Sequence, residues 1–202
     1  ISTDNLLMDK DVRTTLAFVK TFADGDRDFS FYRNPGADMM LRKDEVNPSL
    51  IEQAKIFHFG TLSMTHEMPR EATVYALEIA KKSGAIITFD PNLREPLWNS
   101  LDEAKEQVVK GLEYCDYLKI SDNEIQWLTG EEDFTASVNK IRAQFDIPLI
   151  TVSMGKDGSR AYYLNKKTCV EHIVEVAPFL SEDTIETTGA GYTFCASVLH
   201  HL

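Results

Sequence analysis

Between residues 56 and 152 apolar strands and amphipathic helices alternate without interruption, and no other feature of the chain restricts its fold so strongly. The run IFHFG at 56–60 reads as a buried strand, and residues 69–83 read as a helix with Pro69 near its first turn and Gly84 after its end. AIITF at 85–89 is the next strand, followed by a helix over 101–113 and a strand over 117–120. Helices are predicted over 122–129 and 134–145, broken at Gly130, and a last strand over 148–152. Such alternation predicts an α/β fold: a parallel sheet built by right-handed crossovers, with helices on both faces. Before this region, residues 12–37 read as a β-hairpin, with Asp24, Gly25 and Asp26 in its turn and DFSFYR at 28–33 alternating as a strand. That hairpin either adds two strands to the sheet or stands beside it as a flap, since antiparallel pairs seldom belong to a parallel core. Asn47 and Pro48 open a short helix to residue 55, and residues 160–164 and 169–176 suggest a second hairpin. With neither an internal repeat nor a linker, residues 1–202 are expected to form one domain.

A chain of 202 residues can bury a proper core. Its net charge of −11 argues against nucleic acid as the main partner, yet leaves room for a phosphorylated ligand at a locally positive site. No stretch of about 18 apolar residues occurs, so no membrane span is expected. Cys115, Cys169 and Cys195 are odd in number and lack metal spacing, which suits reduced thiols in the cytoplasm. The polar run over 1–11 and a helical pattern still unfinished at Leu202 make part of a longer chain the expectation.

In open parallel sheets ligands sit beyond the carboxyl ends of the strands. Four polar or glycine-rich loops fall there: Asp90 to Arg94, Ser121 to Glu124, Ser153 to Gly158, and Thr187 to Tyr192. The last runs through Thr188, Gly189, Ala190 and Gly191 into the apolar positions of a helix, so unpaired N–H groups and the positive end of a helix dipole converge on one spot. That spot suits an anion, most often a phosphate. Singly each loop has an ordinary reading as a turn, an N-cap or a hairpin entry; four on one edge are harder to dismiss.

The ordered motifs FYRNPGAD (31–38), FHFG (57–60), FDPNLR (89–94), LTGEED (128–133), SMGKDG (153–158) and TTGAG (187–191) resemble those of the PfkB, or ribokinase-like, carbohydrate kinases, and among them bacterial fructokinases. The likeness covers essentially the whole chain. It implies a three-layer α/β/α fold with a small β lid, here the hairpin at 12–37, and lacks the family's amino-terminal Gly-Gly segment and carboxy-terminal helical region. It further implies transfer of the ATP γ-phosphoryl group to a sugar hydroxyl, with Mg2+ and often a monovalent cation such as K+, and fructose as the sugar. Related members take ketodeoxygluconate, ribose or aminoimidazole riboside. Phosphoryl transfer asks mainly for positioning and charge stabilisation. By this likeness Gly189, Ala190 and Gly191 form the anion hole. Ser121, Thr188 and the loop Ser153, Met154, Gly155, Lys156, Asp157 and Gly158 bind nucleotide, while Tyr32, Arg33, Asn92 and Arg94 contact sugar or phosphate. Glu124 reaches the metal through water or phosphate. For Arg33 a solvated strand-end charge is an equal reading, and the lid hairpin is also a candidate homodimer surface.

Two positions depart from the pattern, one of them at the catalytic place. Where the family's loop ends in the Asp that accepts the hydroxyl proton, this chain has Tyr192, and the loop's first Asp is Glu186. A carboxylate with a pKa near about 4 is ionised at neutral pH and a phenol near about 10 is not; losing a general base costs about a hundred- to ten-thousandfold in rate. Three readings follow: a true kinase with an isolated change at 192, a non-catalytic relative that binds sugar or nucleotide in a regulatory role, or a kinase in which Asp183 or Glu186 substitutes. The intact state of every other loop favours an enzyme.

Overall fold

The computed structural model describes residues 2–22, 27–179 and 187–202. The turn at Asp24, Gly25 and Asp26, and the residues Asp183 and Glu186, therefore lie outside the described residues. Local chemistry sets most helix boundaries. In α2 (Glu67–Ser83) the chain leaves the helix at Gly84, whose φ of 79° is the left-handed stop expected of glycine. Ser100 opens α3 (Leu101–Leu112) by accepting the Glu103 N–H at 3.1 Å. Ser121 and Glu124 cap each other at the start of α4 (Asp122–Thr129), and Asp133 accepts the Ala136 N–H at 2.8 Å to open α5 (Phe134–Arg142). Helix α5 ends at Arg142, short of residue 145, and the Arg142 side chain donates to the carbonyls of Ile147, Pro148 and Tyr162, at 3.0, 3.0 and 2.9 Å. The first helix, α1 (Pro48–Glu52), is also shorter than expected.

The central sheet has six strands: β3 (Ile56–Gly60), β4 (Ile86–Asp90), β5 (Tyr117–Ser121), β6 (Leu149–Ser153), β7 (Ser159–Asn165) and β8 (Val170–Val176). Their order in space repeats their order in the chain; the first four are parallel and the last two add as an antiparallel hairpin. Right-handed crossovers between strands added in one direction put α2, α3 and the α4–α5 pair on one face. The core lies there. Phe59, Ile87, Phe89, Leu118, Ile120, Ile150 and Val152 pack from the sheet against Leu77, Val108, Leu112, Ile125, Val138 and Ile141, with the Phe59 and Phe89 rings stacked at 4.4 Å.

Because side chains alternate along a strand, the opposite face carries His58, Thr88, Asp90, Tyr117, Lys119 and Thr151. These are mostly polar and pair with one another: His58 Nδ1 lies 2.8 Å from Thr88 Oγ1, and Tyr117 Oη lies 2.9 Å from Thr151 Oγ1. Helix α6 (Ala190–His200) covers this face, burying Cys195. One side of the sheet is dry and the other is a polar floor.

The hairpin stands apart. Strands β1 (Leu16–Thr21) and β2 (Arg27–Tyr32) pair antiparallel as their own two-stranded sheet, in register from Leu16 opposite Tyr32 to Thr21 opposite Arg27. Of the two sequence-based alternatives it is the flap. Every residue of β1 is exposed, so packing does not hold the hairpin down. Arg33 does: its buried guanidinium pairs with Asp38 at 2.6 Å and donates to Thr65 Oγ1 at 2.8 Å and to the Leu62 carbonyl at 3.1 Å.

Candidate active site

The polar floor is most heavily charged where β4 and β5 end. Asp90 and Lys119 sit side by side in the register of these strands, their side chains only 3% and 7% exposed. Lys119 Nζ reaches both carboxylate oxygens, at 3.1 and 3.3 Å. Burial pushes the Asp90 carboxyl up to about 6; Glu124 pushes the same way, while Lys119 and the Asn92 N–H pull it down. Burial and then the Lys119 charge hold the His58 imidazole below its usual range.

Glu124 braces two loops. One carboxylate oxygen accepts the Leu93 N–H at 2.6 Å, and the other accepts the Ser121 N–H at 2.9 Å and the Ser121 hydroxyl at 2.8 Å. The strand-end loop after β4 is thereby fixed to the start of α4. Asn92 lies in this loop at φ 47°, a left-handed conformation that asparagine tolerates better than most side chains. Arg94 follows, its guanidinium 5.3 Å from the Phe29 ring of the flap and donating to the Leu93 carbonyl at 3.1 Å.

Helix α6 opens directly above the charged pair. Gly189 caps it at φ 85°, a conformation that would strain any residue bearing a β-carbon. A β-carbon on Gly191 would lie 3.3 Å from Lys119 Nζ, so the ammonium sits at the helix mouth. First-turn N–H groups have no acceptor within their own helix; that of Ala190 turns back to the Thr187 carbonyl at 3.2 Å. Tyr192 points its hydroxyl at the loop after β4, accepting from Asn92 Nδ2 at 2.7 Å.

Two cavities meet here. One, of about 350 Å³, is lined by Asp90, Asn92, Arg94, Lys119, Ser121, Asn123, Glu124, Thr187, Gly189, Gly191 and Tyr192, with Leu93, Glu95 and Trp127. The other, of about 270 Å³, is lined by His58, Gly60, Thr61, Leu62, Ser63, Asp90, Asn92 and Tyr192. A larger hollow of about 950 Å³ lies at the amino ends of the strands, among Lys81, Ile86, Tyr114 and Leu149. Its charged side chains, Lys81, Glu113, Asp116, Asp146 and Lys166, lie at the amino ends of the strands; ligands of a parallel sheet sit beyond the carboxyl ends, so we place the site there.

Of the residues expected from sequence, the structure brings together Ser121, Asn92, Arg94, Glu124, Gly189, Gly191 and Tyr192 around the first cavity. Ala190 and Thr188 lie in the same loop and helix start without lining it. The loop from Ser153 to Gly158, with Met154, Gly155, Lys156 and Asp157, stands at the neighbouring strand end outside both cavities. Gly158 there backs on to the Val176 carbonyl, where a β-carbon would sit 2.2 Å away, so its lack of a side chain serves the β7–β8 hairpin. Arg33 is drawn into the hairpin tie beside a separate small hollow, and Tyr32 is exposed on the flap. Lys119 and His58 were not singled out from the sequence, and Asp90 entered only as the first residue of its strand-end loop. Their signal was present: a charged or polar residue at every second place of otherwise apolar strands, in IFHFG, IITFD and YLKIS.

Residues 1–202 match the family described as pfkB family carbohydrate kinase. The chain is 41% identical over 196 residues to the probable fructokinase-2 of Arabidopsis thaliana, covering 96% of this chain and 57% of that protein. Among solved structures, the fructokinase of Xylella fastidiosa with bound ATP superposes with a TM-score of 0.81 at 29% identity, covering 96% of this chain and 57% of that one. A double mutant of the Vibrio cholerae fructokinase, in a form with fructose, ADP and potassium ion bound, gives 0.77 at 28% identity, with 91% and 57% covered. The chain thus spans less than two thirds of the length of these relatives.

Proposed function

Because the chain belongs to the PfkB family of carbohydrate kinases, we propose that the protein of which it is part transfers the γ-phosphoryl group of ATP to a hydroxyl of a sugar, with fructose as the substrate. The observation that carries this reading is the meeting of two cavities beneath the amino end of α6, with a buried ammonium at the helix mouth. In the first cavity, the Lys119 ammonium and the helix start at Gly189 and Gly191 offer a positive spot suited to phosphates beside the carboxylates of Asp90, Glu95 and Glu124. Arg94 adds a fixed charge on the flap side. The second cavity, walled by His58, Thr61 and Ser63, offers hydroxyl, imidazole and carbonyl groups of the kind that bind sugar hydroxyls.

The nucleoside would extend past Ser121 towards its neighbour in the sheet, Ser153, and the loop that follows it. Magnesium fits the site only as a hydrated ion carried mainly by phosphates: among the described residues no group of His, Cys, Asp or Glu forms a protein cage, and Glu124 already accepts three protein hydrogens. When bound it neutralises phosphate charge, and Glu124 would hold one of its waters. The potassium ion of the Vibrio relative supports a monovalent cation here as well. The free thiols of Cys115, Cys169 and Cys195 support a cytoplasmic location, and the exposed flap a homodimer contact.

Coupled assay of ATP-dependent phosphorylation of fructose by the full-length protein, and by its Tyr192→Asp variant, tests the reading. Turnover by either supports it; failure of both, on fructose and on related sugars, overturns it. The Tyr192–Asn92 bond favours one second reading, a relative that binds sugar or nucleotide without turnover, because it occupies with a phenol the place where the family's carboxylate would stand. Calorimetric heats with ATP–Mg and fructose, in the absence of turnover, would identify that case.

A further inference from the structure

The proton acceptor of a sugar kinase must face the phosphate compartment and the sugar compartment at once. Among the described residues only Asp90, Asn92 and Tyr192 line both cavities. Asn92 has no basic site, and its amide is engaged with the Tyr192 hydroxyl. We propose that Asp90 takes the proton of the reacting hydroxyl, in place of the carboxylate that position 192 lacks. This inference rests on the kinase reading above.

The surroundings of Asp90 suit the task. It ends β4 at the foot of both cavities, with Lys119 of β5 on one side at 3.1 Å and the Asn92 N–H behind it. The other titratable groups around it are Glu124 of α4, Tyr117 of β5, Cys195 and Tyr192 of α6, and His58 of β3. A buried carboxyl raised to about 6 remains ionised at neutral pH, yet is a stronger base than an exposed one. In the step, the sugar oxygen forms its bond to the γ-phosphorus and the bond from phosphorus to the ADP oxygen breaks, its electron pair leaving with ADP. The hydroxyl proton passes to an Asp90 oxygen and is lost to solvent when the sugar phosphate departs. As that carboxylate is neutralised, the Lys119 ammonium is released from it to face the phosphates at the mouth of α6.

Four full-length proteins test this with ATP, magnesium and fructose: unaltered, Asp90→Asn, Tyr192→Asp, and the double variant. The unaltered protein is expected to turn over, with kcat/KM falling tenfold per pH unit below about pH 6. Asp90→Asn is expected to lower kcat by about a hundred- to ten-thousandfold with little change in KM, and the double variant to recover because a carboxylate returns at the helix start. A flat profile from pH 5 to pH 8 overturns the proposal, even should Asp90→Asn fail to fold. So does Asp90→Asn retaining kcat within threefold. A double variant as slow as Asp90→Asn beside an active Tyr192→Asp makes Asp90 a positioning residue only, and an inactive unaltered protein beside an active Tyr192→Asp leaves position 192 as the sole acceptor place. If none of the four phosphorylates any sugar, the kinase reading itself falls and takes the proposal with it.

Discussion

Replacing Lys119 by methionine keeps an unbranched side chain and removes the ammonium, which isolates what that charge does for Asp90. The two groups are 7% and 3% exposed and lie 3.1 Å apart, so solvent screens them little. An opposite charge at this range holds a carboxyl down by about 1–3 units. Without it, Asp90 would move from about 6 to roughly 7–9. The sign follows from the unfolded reference of 3.8: because the folded value is raised, stability is fully present below 3.8 and is lost as pH climbs through the folded value. In the unaltered protein that loss levels off above about pH 6. In Lys119→Met it continues to pH 7, at about 1.4 kcal/mol per unit. At pH 5 both proteins hold Asp90 largely protonated, so the variant there loses only packing. Lys119→Met should therefore be more destabilised at pH 7 than at pH 5 by about 1–1.5 kcal/mol. Urea titrations at the two pH values measure the difference. Equal losses at both would refute the argument, since the ammonium would then not be what keeps Asp90 charged.

Three further outcomes follow from the geometry. Glu124→Ala leaves the N–H groups of Leu93 and Ser121 without their acceptor and should cost about 1–3 kcal/mol by denaturant titration, with Glu124→Gln costing less. Ser100→Ala should remove about 1 kcal/mol through the lost cap of α3, while Ser100→Gly costs only a few tenths. Arg33→Met strips the flap of its tie to Thr65 and Leu62; amide exchange in β1 and β2 should accelerate at least about tenfold while β3 to β6 keep their protection.

Much of the fold was legible because its signals are local. Ser100, the Ser121 and Glu124 pair, Asp133 and Gly84 each act within a few residues of themselves, and each marks a helix end where the sequence placed it. The loops at Asn92, Glu124 and Gly189 were legible for a related reason, since strand ends follow once strands are assigned. Lys119 and His58 were not singled out because their strands read as uniformly buried, the usual condition of a parallel sheet, and Asp90 was read as the start of a loop rather than the last residue of β4. Only the sheet order reveals that every crossover helix lies on one face, so that each second strand residue looks on to a polar floor. The tie made by Arg33 was not legible for a different reason: its partners Thr65 and Leu62 are 32 and 29 residues away, beyond any local pattern. Tyr192 was legible as a departure, but its bond to Asn92, a hundred residues earlier, was not.

The sheet whose strands lie in chain order also bears on how the molecule comes into being. Within the central sheet each strand from β4 onward pairs with the strand made just before it, so none of these strands waits for a distant partner. Contacts of short sequence separation favour rapid folding, and domains form from their amino-terminal side during synthesis. A nascent chain that has emerged as far as β5 already holds β3, β4, α2 and α3, and with them a closed part of the dry core. Helix α6 follows all six strands in the chain. The helix mouth can therefore close over Asp90 and Lys119 only after the sheet beneath it has been made.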